Sequence, residues 1–91
     1  MRFVICYDIA DDARRNRLAT GLLDFGRRIQ ESVFMADLDE ELSRRMEGRI
    51  ERLIDPLQDC VHIFEICAAC EKRIEVMGRA DLPKDEDFYI V

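Results

Sequence analysis

The sequence predicts an α/β (α+β) domain with the element order strand, helix, strand, strand, helix, strand around an antiparallel sheet. Three observations predict it. Residues 2 to 8 form an almost unbroken apolar run, two segments between Asp11 and Pro56 repeat apolar residues at helical spacing, and a second strongly apolar run spans residues 61 to 66.

The first run, residues 2 to 8, reads as a central strand covered on both faces and ends in Tyr7-Asp8. Asp11 and Asp12 are capping residues ahead of a helix over 13 to 23, in which Leu18, Ala19, Leu22 and Leu23 share a face and Gly26 supplies the stop. Arg28 to Gln30 and Val33 to Leu38 are two short strands joined by a tight turn at Glu31-Ser32. Asp39 caps the second helix, and Glu40 and Glu41 in its first turn complement the positive end of the helix dipole. Leu42, Met46, Ile50, Leu53, Ile54 and Leu57 form its apolar stripe, and Pro56 ends it. Val61 to Ile66 is the next strand, and Arg73 to Val76 reads as a further short one.

This order is the ferredoxin-like βαββαβ pattern, in which two crossovers place both helices on one sheet face. The first strand, however, is apolar at both parities, with Phe3, Ile5 and Tyr7 on one side and Val4 and Cys6 on the other. The uncovered face therefore calls for a homodimer. Phe88 to Val91, set off by Pro83 and several acids, reads as a strand added to a sheet edge. The whole of 1 to 91 is read as one domain, with 78 to 91 a C-terminal extension packing on the dimer partner and contributing short C-terminal strands.

Composition narrows the function classes. At 91 residues there is room for one core, and no apolar run approaches the roughly 20 residues that cross a bilayer. The opening run is too short for a secretory signal, so a cytoplasmic location and no membrane partner are expected. Cys6, Cys60 and Cys67 lie in or beside apolar runs, where reduced thiols pack as small hydrophobes. Cys67-Ala68-Ala69-Cys70 has the spacing of zinc sites and redox pairs, but His62 and Cys60 make a poor second ligand pair, which favours a structural role. The net charge of −6 opposes phosphate binding overall. Yet between residues 14 and 28 Arg14, Arg15, Arg17, Arg27 and Arg28 face a single acid, Asp24. The chain is locally basic and globally acidic.

A family resemblance enters with these segments in order: an apolar strand ending Tyr7-Asp8, the stretch Ile9 to Arg17, the stretch Gly26 to Phe34, then Ile54-Asp55-Pro56 and the strand from Asp59 to Ile66. Together they resemble the CRISPR-associated Cas2 family over about residues 1 to 77. The resemblance implies a ferredoxin-like homodimer that bridges two dimers of an integrase subunit, in a heterohexameric complex that binds duplex DNA for spacer acquisition. It also implies that Asp8 meets its symmetry mate and holds a magnesium ion shared across the dimer. Metal-dependent endonuclease activity on RNA or DNA, with Asp8 as catalytic residue and metal ligand, is attributed to members, though not uniformly.

Residue chemistry supplies its own readings of these positions. A carboxylate after a buried strand should be partly desolvated and in need of a partner, although Asp8 could equally begin the loop or cap the first helix. Arg14, Arg15, Arg27 and Arg28 are nucleic-acid-binding candidates, against an alternative as solvated helix ends. Arg44, Arg45, Arg49 and Arg52 interleave with acids and read as ion-paired surface. Tyr7 and Phe34 could shape the site or stack on bases, but strand-spaced aromatics are more often core. One histidine cannot build a nucleophilic triad, and the scattered glycines make no phosphate loop. The competing classes are a DNA-adaptation scaffold, a magnesium-dependent endonuclease and a small-molecule-binding regulatory module of the same fold.

Overall fold

Seven extended residues open the chain as β1 (Arg2–Asp8), in a computed structural model that describes residues 1–78. α1 (Asp12–Leu22) follows, N-capped by Asp11, whose carboxylate accepts from the Arg14 backbone N–H at 2.8 Å. β2 (Arg27–Gln30) and β3 (Val33–Asp37) make the hairpin around Glu31-Ser32, with a register irregularity between Arg28 and Gln30. α2 (Glu40–Leu53) is capped by Asp39, β4 (Cys60–Ile66) returns along β1, and a short α3 (Ala68–Glu71) follows.

The sheet order is β2-β3-β1-β4, with every neighbouring pair antiparallel. This is the ferredoxin-like arrangement. Strand alternation sorts β1 into two rows. Phe3, Ile5 and Tyr7 lie under the helices with Phe34 and Ala36 of β3, packed on Leu18, Ala19 and Leu22 of α1 and Met46 and Ile50 of α2. Val4 and Cys6 lie on the helix-free face and are only half-buried. Across that face, Val4 is opposite Phe64 and Met35, and Cys6 is opposite His62 and Val33.

Gly26 is required by close approach: a Cβ there would collide with the Met35 carbonyl and the Ala36 backbone. The loop after α1 can therefore press directly on β3.

Three expectations are corrected. The α2 stripe is shorter than its apolar letters: Met46 and Ile50 are buried, but Leu42 is on the margin and Leu57 is 94% exposed. At 3.6 residues per turn the core-facing row runs Ser43, Met46, Ile50, so Ser43 takes the inner position and bonds back to the Glu40 carbonyl at 2.9 Å. The helix also ends at Leu53, before Leu57 could join it. Second, residues 73 to 76 form no strand. α3 and the turn bonds from Arg73 N–H to Cys70 O and from Ile74 N–H to Glu71 O occupy the local backbone instead. Third, Cys60, Cys67 and Cys70 are exposed and Cys6 half-buried, because β4 is an edge strand and the last two cysteines lie beyond the sheet. The proposed edge strand at Phe88–Val91 and the extension from residue 78, apart from Gly78, lie outside the described residues.

Leu18→Ala should cost about 2–5 kcal/mol of unfolding free energy, whereas Leu57→Ala should stay within about 0.5 kcal/mol of wild type. Urea titrations of the two variants check this; equal losses would contradict the observed stripe.

Candidate nucleic-acid and metal site

Asp8 ends β1 on the same row as Val4 and Cys6, which places it on the helix-free face opposite Cys60. It is exposed, against the expected desolvation, because β1 ends and β4 begins there and nothing described covers that edge of the sheet. The helix is capped by Asp11 instead. Among the described residues the Asp8 side chain has no hydrogen bond or ion pair, so its carboxylate is open to an external cation. Within one chain it has little company, since the described residues contain no cluster of three or more His, Cys, Asp or Glu able to hold a metal. Magnesium accepts one or two carboxylates plus waters. The oxygen chemistry of Asp8 suits that ion, and two copies of it would supply the protein's share.

The candidate arginines have been given different tasks by the fold. Arg14 grips Asp59 through two bonds of 2.8 and 3.0 Å, and the Asp59 carboxylate, whose side chain is fully buried, also accepts the Asp55 backbone N–H at 2.7 Å. Arg14 keeps one terminal nitrogen for other contacts. The bond from Arg14 holds the Asp59 carboxyl below its ordinary range, and the same bond raises Arg14. Arg15 bonds the Ile9 carbonyl at 3.0 Å and pairs with Asp12. Arg28 lies over the Phe34 ring at 5.6 Å and donates to the Tyr7 hydroxyl at 3.3 Å. Arg27 is exposed at the start of β2.

Tyr7 and Phe34 are core residues, 5% and 1% exposed with ring centroids 6.2 Å apart, so neither can stack on a base. Their influence is indirect, through Arg28. His62 is exposed, parallel to the Phe64 ring and 3.6 Å from the Cys60 sulfur.

A basic surface formed jointly by arginines of α1 and α2, which sequence spacing does not bring together, lies between the two helices. Asn16, Arg17, Thr20, Gly21, Arg49, Arg52 and Leu53 line a groove of about 520 Å³. Arg44 and Arg45 are paired with Glu40 and Glu41 as expected, and Arg49 reaches Asp24 and the Gly21 carbonyl. Arg17 and Arg52 have no ion-pair partner among the described residues. Only knowledge that the two helices lie side by side joins positions 35 residues apart in the sequence.

A family model for the CRISPR associated protein Cas2 matches residues 1–74. The CRISPR-associated endoribonuclease Cas2 1 of Chloroflexus aurantiacus is 38% identical over 100% of both chains. The CRISPR-associated endonuclease Cas2 2 of Thermus thermophilus is 39% identical over 98% of this chain and 94% of its own length. Among solved structures, a hypothetical protein from Thermus thermophilus has a TM-score of 0.81 at 38% identity, covering 91% of this chain and 96% of that one. Cas2 of Streptococcus pyogenes has a TM-score of 0.77 at 23% identity, covering 86% and 100%, a likeness of fold alone.

The pH dependence of stability follows from Asp59. Its folded-state carboxyl is held low, so its contribution is present above the ordinary carboxylate range and is lost as pH falls through the folded value. Asp59→Asn should be less stable at pH 7 and should show a flatter loss of stability on acidification. Urea midpoints measured from pH 7 to pH 3 check this, and a parallel acid limb would exclude Asp59 as a source.

Proposed function

The chain belongs to the CRISPR-associated Cas2 family, and on that premise we propose that it acts as the homodimeric, DNA-binding scaffold of a spacer-acquisition complex. The observation that carries the proposal is the helix-free sheet face. Half-buried Val4, Cys6 and Val33 lie beside Phe64, which is 53% exposed, and Asp8 sits at the end of that apolar surface. A second copy would cover the face and bring two Asp8 carboxylates toward one another.

In this proposal duplex DNA is the nucleic-acid partner and an integrase subunit the protein partner, with two integrase dimers flanking the Cas2 dimer in the cytoplasm. Arg14, Arg15, Arg27 and Arg28 contribute phosphate contacts, joined by Arg17 and Arg52 of the interhelical groove. Arginine suits the role because its planar fork meets phosphate with two N–H groups. An acidic chain carrying arginines in patches binds weakly alone and gains affinity when a dimer doubles the patches and the companion adds its own surface.

A second reading, magnesium-dependent endonuclease, is favoured by the unpaired Asp8 and by the names of the relatives. Two Asp8 side chains would hold the ion, which when bound would activate water for attack on a phosphodiester. The chain's own part is to present those carboxylates on a rigid strand end and to hold the nucleic acid nearby through the arginines.

Phe64→Glu should convert the dimer to monomer in sedimentation at micromolar concentration while the chain stays folded by circular dichroism, because Phe64 is 53% exposed in its own chain. A persistent dimer would place the interface elsewhere.

For nucleic acid, replacing Arg15, Arg17, Arg27 and Arg52 with Gln should lower the slope of log affinity against log salt by roughly one per lost phosphate contact. Arg14 is left in place because it also pins Asp59. An unaltered slope would move the DNA to another surface.

Asp8→Ala separates the two readings. Any magnesium-dependent cleavage should fall at least about a hundredfold, while dimerisation and integrase-driven spacer insertion continue. Undiminished cleavage would remove Asp8 as a ligand, and loss of insertion in an intact complex would give it a direct part in adaptation.

A further inference from the structure

The four cysteines divide into two unlike pairs. Cys6 and Cys60 lie on neighbouring strands, but Cys6 is opposite His62 and Cys60 opposite Asp8, so they are diagonal rather than facing. Diagonal positions on adjacent strands stand about 7–8 Å apart, beyond the Cβ separation of roughly 3.5–4.5 Å that a disulfide needs. Cys67 and Cys70 differ. Cys67 is the N-cap residue of α3 and Cys70 sits inside it, so the two cysteines project from one helical turn. Cα atoms three residues apart on a helical turn stand about 5 Å apart, inside the roughly 4.4–6.8 Å range that a disulfide spans. Here both residues are free thiols exposed to solvent.

We propose that Cys67 and Cys70 form a reversible dithiol–disulfide site that exchanges with small-molecule disulfides of the glutathione class. The proposal is independent of the nucleic-acid reading.

The two thiols are not equivalent. The Cys70 backbone N–H and then the Cys70 thiol stabilise the Cys67 thiolate and draw its pKa down, while the bond to Cys67 pushes Cys70 up. This asymmetry assigns the order of events. The Cys67 thiolate attacks one sulfur of glutathione disulfide, breaking its S–S bond, forming a mixed disulfide and releasing one glutathione thiolate. Cys70 then loses its proton to water and attacks the Cys67 sulfur, closing the intramolecular disulfide and releasing the second glutathione thiolate. The chain loses two electrons and two protons, and glutathione disulfide is reduced to two glutathione molecules.

The location gives the exchange a structural consequence. α3 is the turn through which the chain leaves β4, and Glu71, beside Cys70, places its carboxylate 2.9 Å from the Arg2 guanidinium, which also binds Asp37 at 2.7 and 2.9 Å. Oxidation would close this turn covalently and hold Glu71 against the start of β1.

The test uses the full chain, equilibrated without oxygen in buffers of varied glutathione to glutathione-disulfide ratio, then alkylated and read by peptide mass spectrometry. The expected result is a single reversible transition to a linked Cys67–Cys70 peptide lacking two hydrogens, with Cys6 and Cys60 still alkylated. Cys70→Ser should stop at a glutathione adduct on Cys67, and Cys67→Ser should abolish the disulfide. At pH 7 iodoacetamide should modify Cys67 at least about fivefold faster than Cys60, as expected for a stabilised thiolate. Full alkylation of both cysteines at the most oxidising ratio would overturn the proposal. So would equal rates at Cys67 and Cys60, or stoichiometric zinc that blocks oxidation, which would make the pair a metal site.

Discussion

The alternation of side chains along β1 is the constraint from which the rest of the molecule follows. β1 is bonded on both sides, to β3 and to β4, so it cannot shift register without breaking two ladders. Its odd positions, Phe3, Ile5 and Tyr7, are thereby committed to the helices. Its even positions, Val4, Cys6 and Asp8, are committed to the open face. The same period that builds the core thus delivers a carboxylate to the end of an apolar surface, and core and candidate site are two sides of one strand.

Charged groups do much of the work of joining elements that the core leaves apart. Arg14 carries the start of α1 to Asp59, just ahead of β4, and the buried carboxylate is fully satisfied by the guanidinium and the Asp55 N–H. Arg2 does the same at the other end of the sheet, gathering Asp37 at the end of β3 and Glu71 of α3. Removing one member of such a pair leaves the other desolvated and unpaired, which is why these arginines resist being read simply as surface charge. Arg14 therefore serves the fold first and phosphate only with what remains of its donors.

Seen this way, the acidic balance of the chain and a nucleic-acid role are compatible. Many acids are consumed locally, as caps at Asp11 and Asp39 and as partners at Glu40, Glu41, Asp37 and Asp59. Arg17 and Arg52 are left over on one groove, where net charge is no guide to local field. The turn after β4 adds a thiol chemistry unrelated to that field, set by the spacing of two cysteines.

The sequence by itself determined the element order, both helix caps, the hairpin and the apolar rows of the strands, because each depends on residues within a few positions of one another. Tertiary structure decided the rest. It alone showed that Leu42 and Leu57 miss the core, since helix phase and length are set by packing against the sheet. It alone exposed Asp8, buried the Asp59 side chain, tied Arg14 to Asp59 and Arg28 to Tyr7 and Phe34, and kept residues 73 to 76 out of the sheet. It also joined Arg17 to Arg52 on one groove, and placed Cys67 and Cys70 on one exposed helical turn. In each case the deciding partner, or the covering that failed to arrive, came from a part of the molecule that local pattern does not reach.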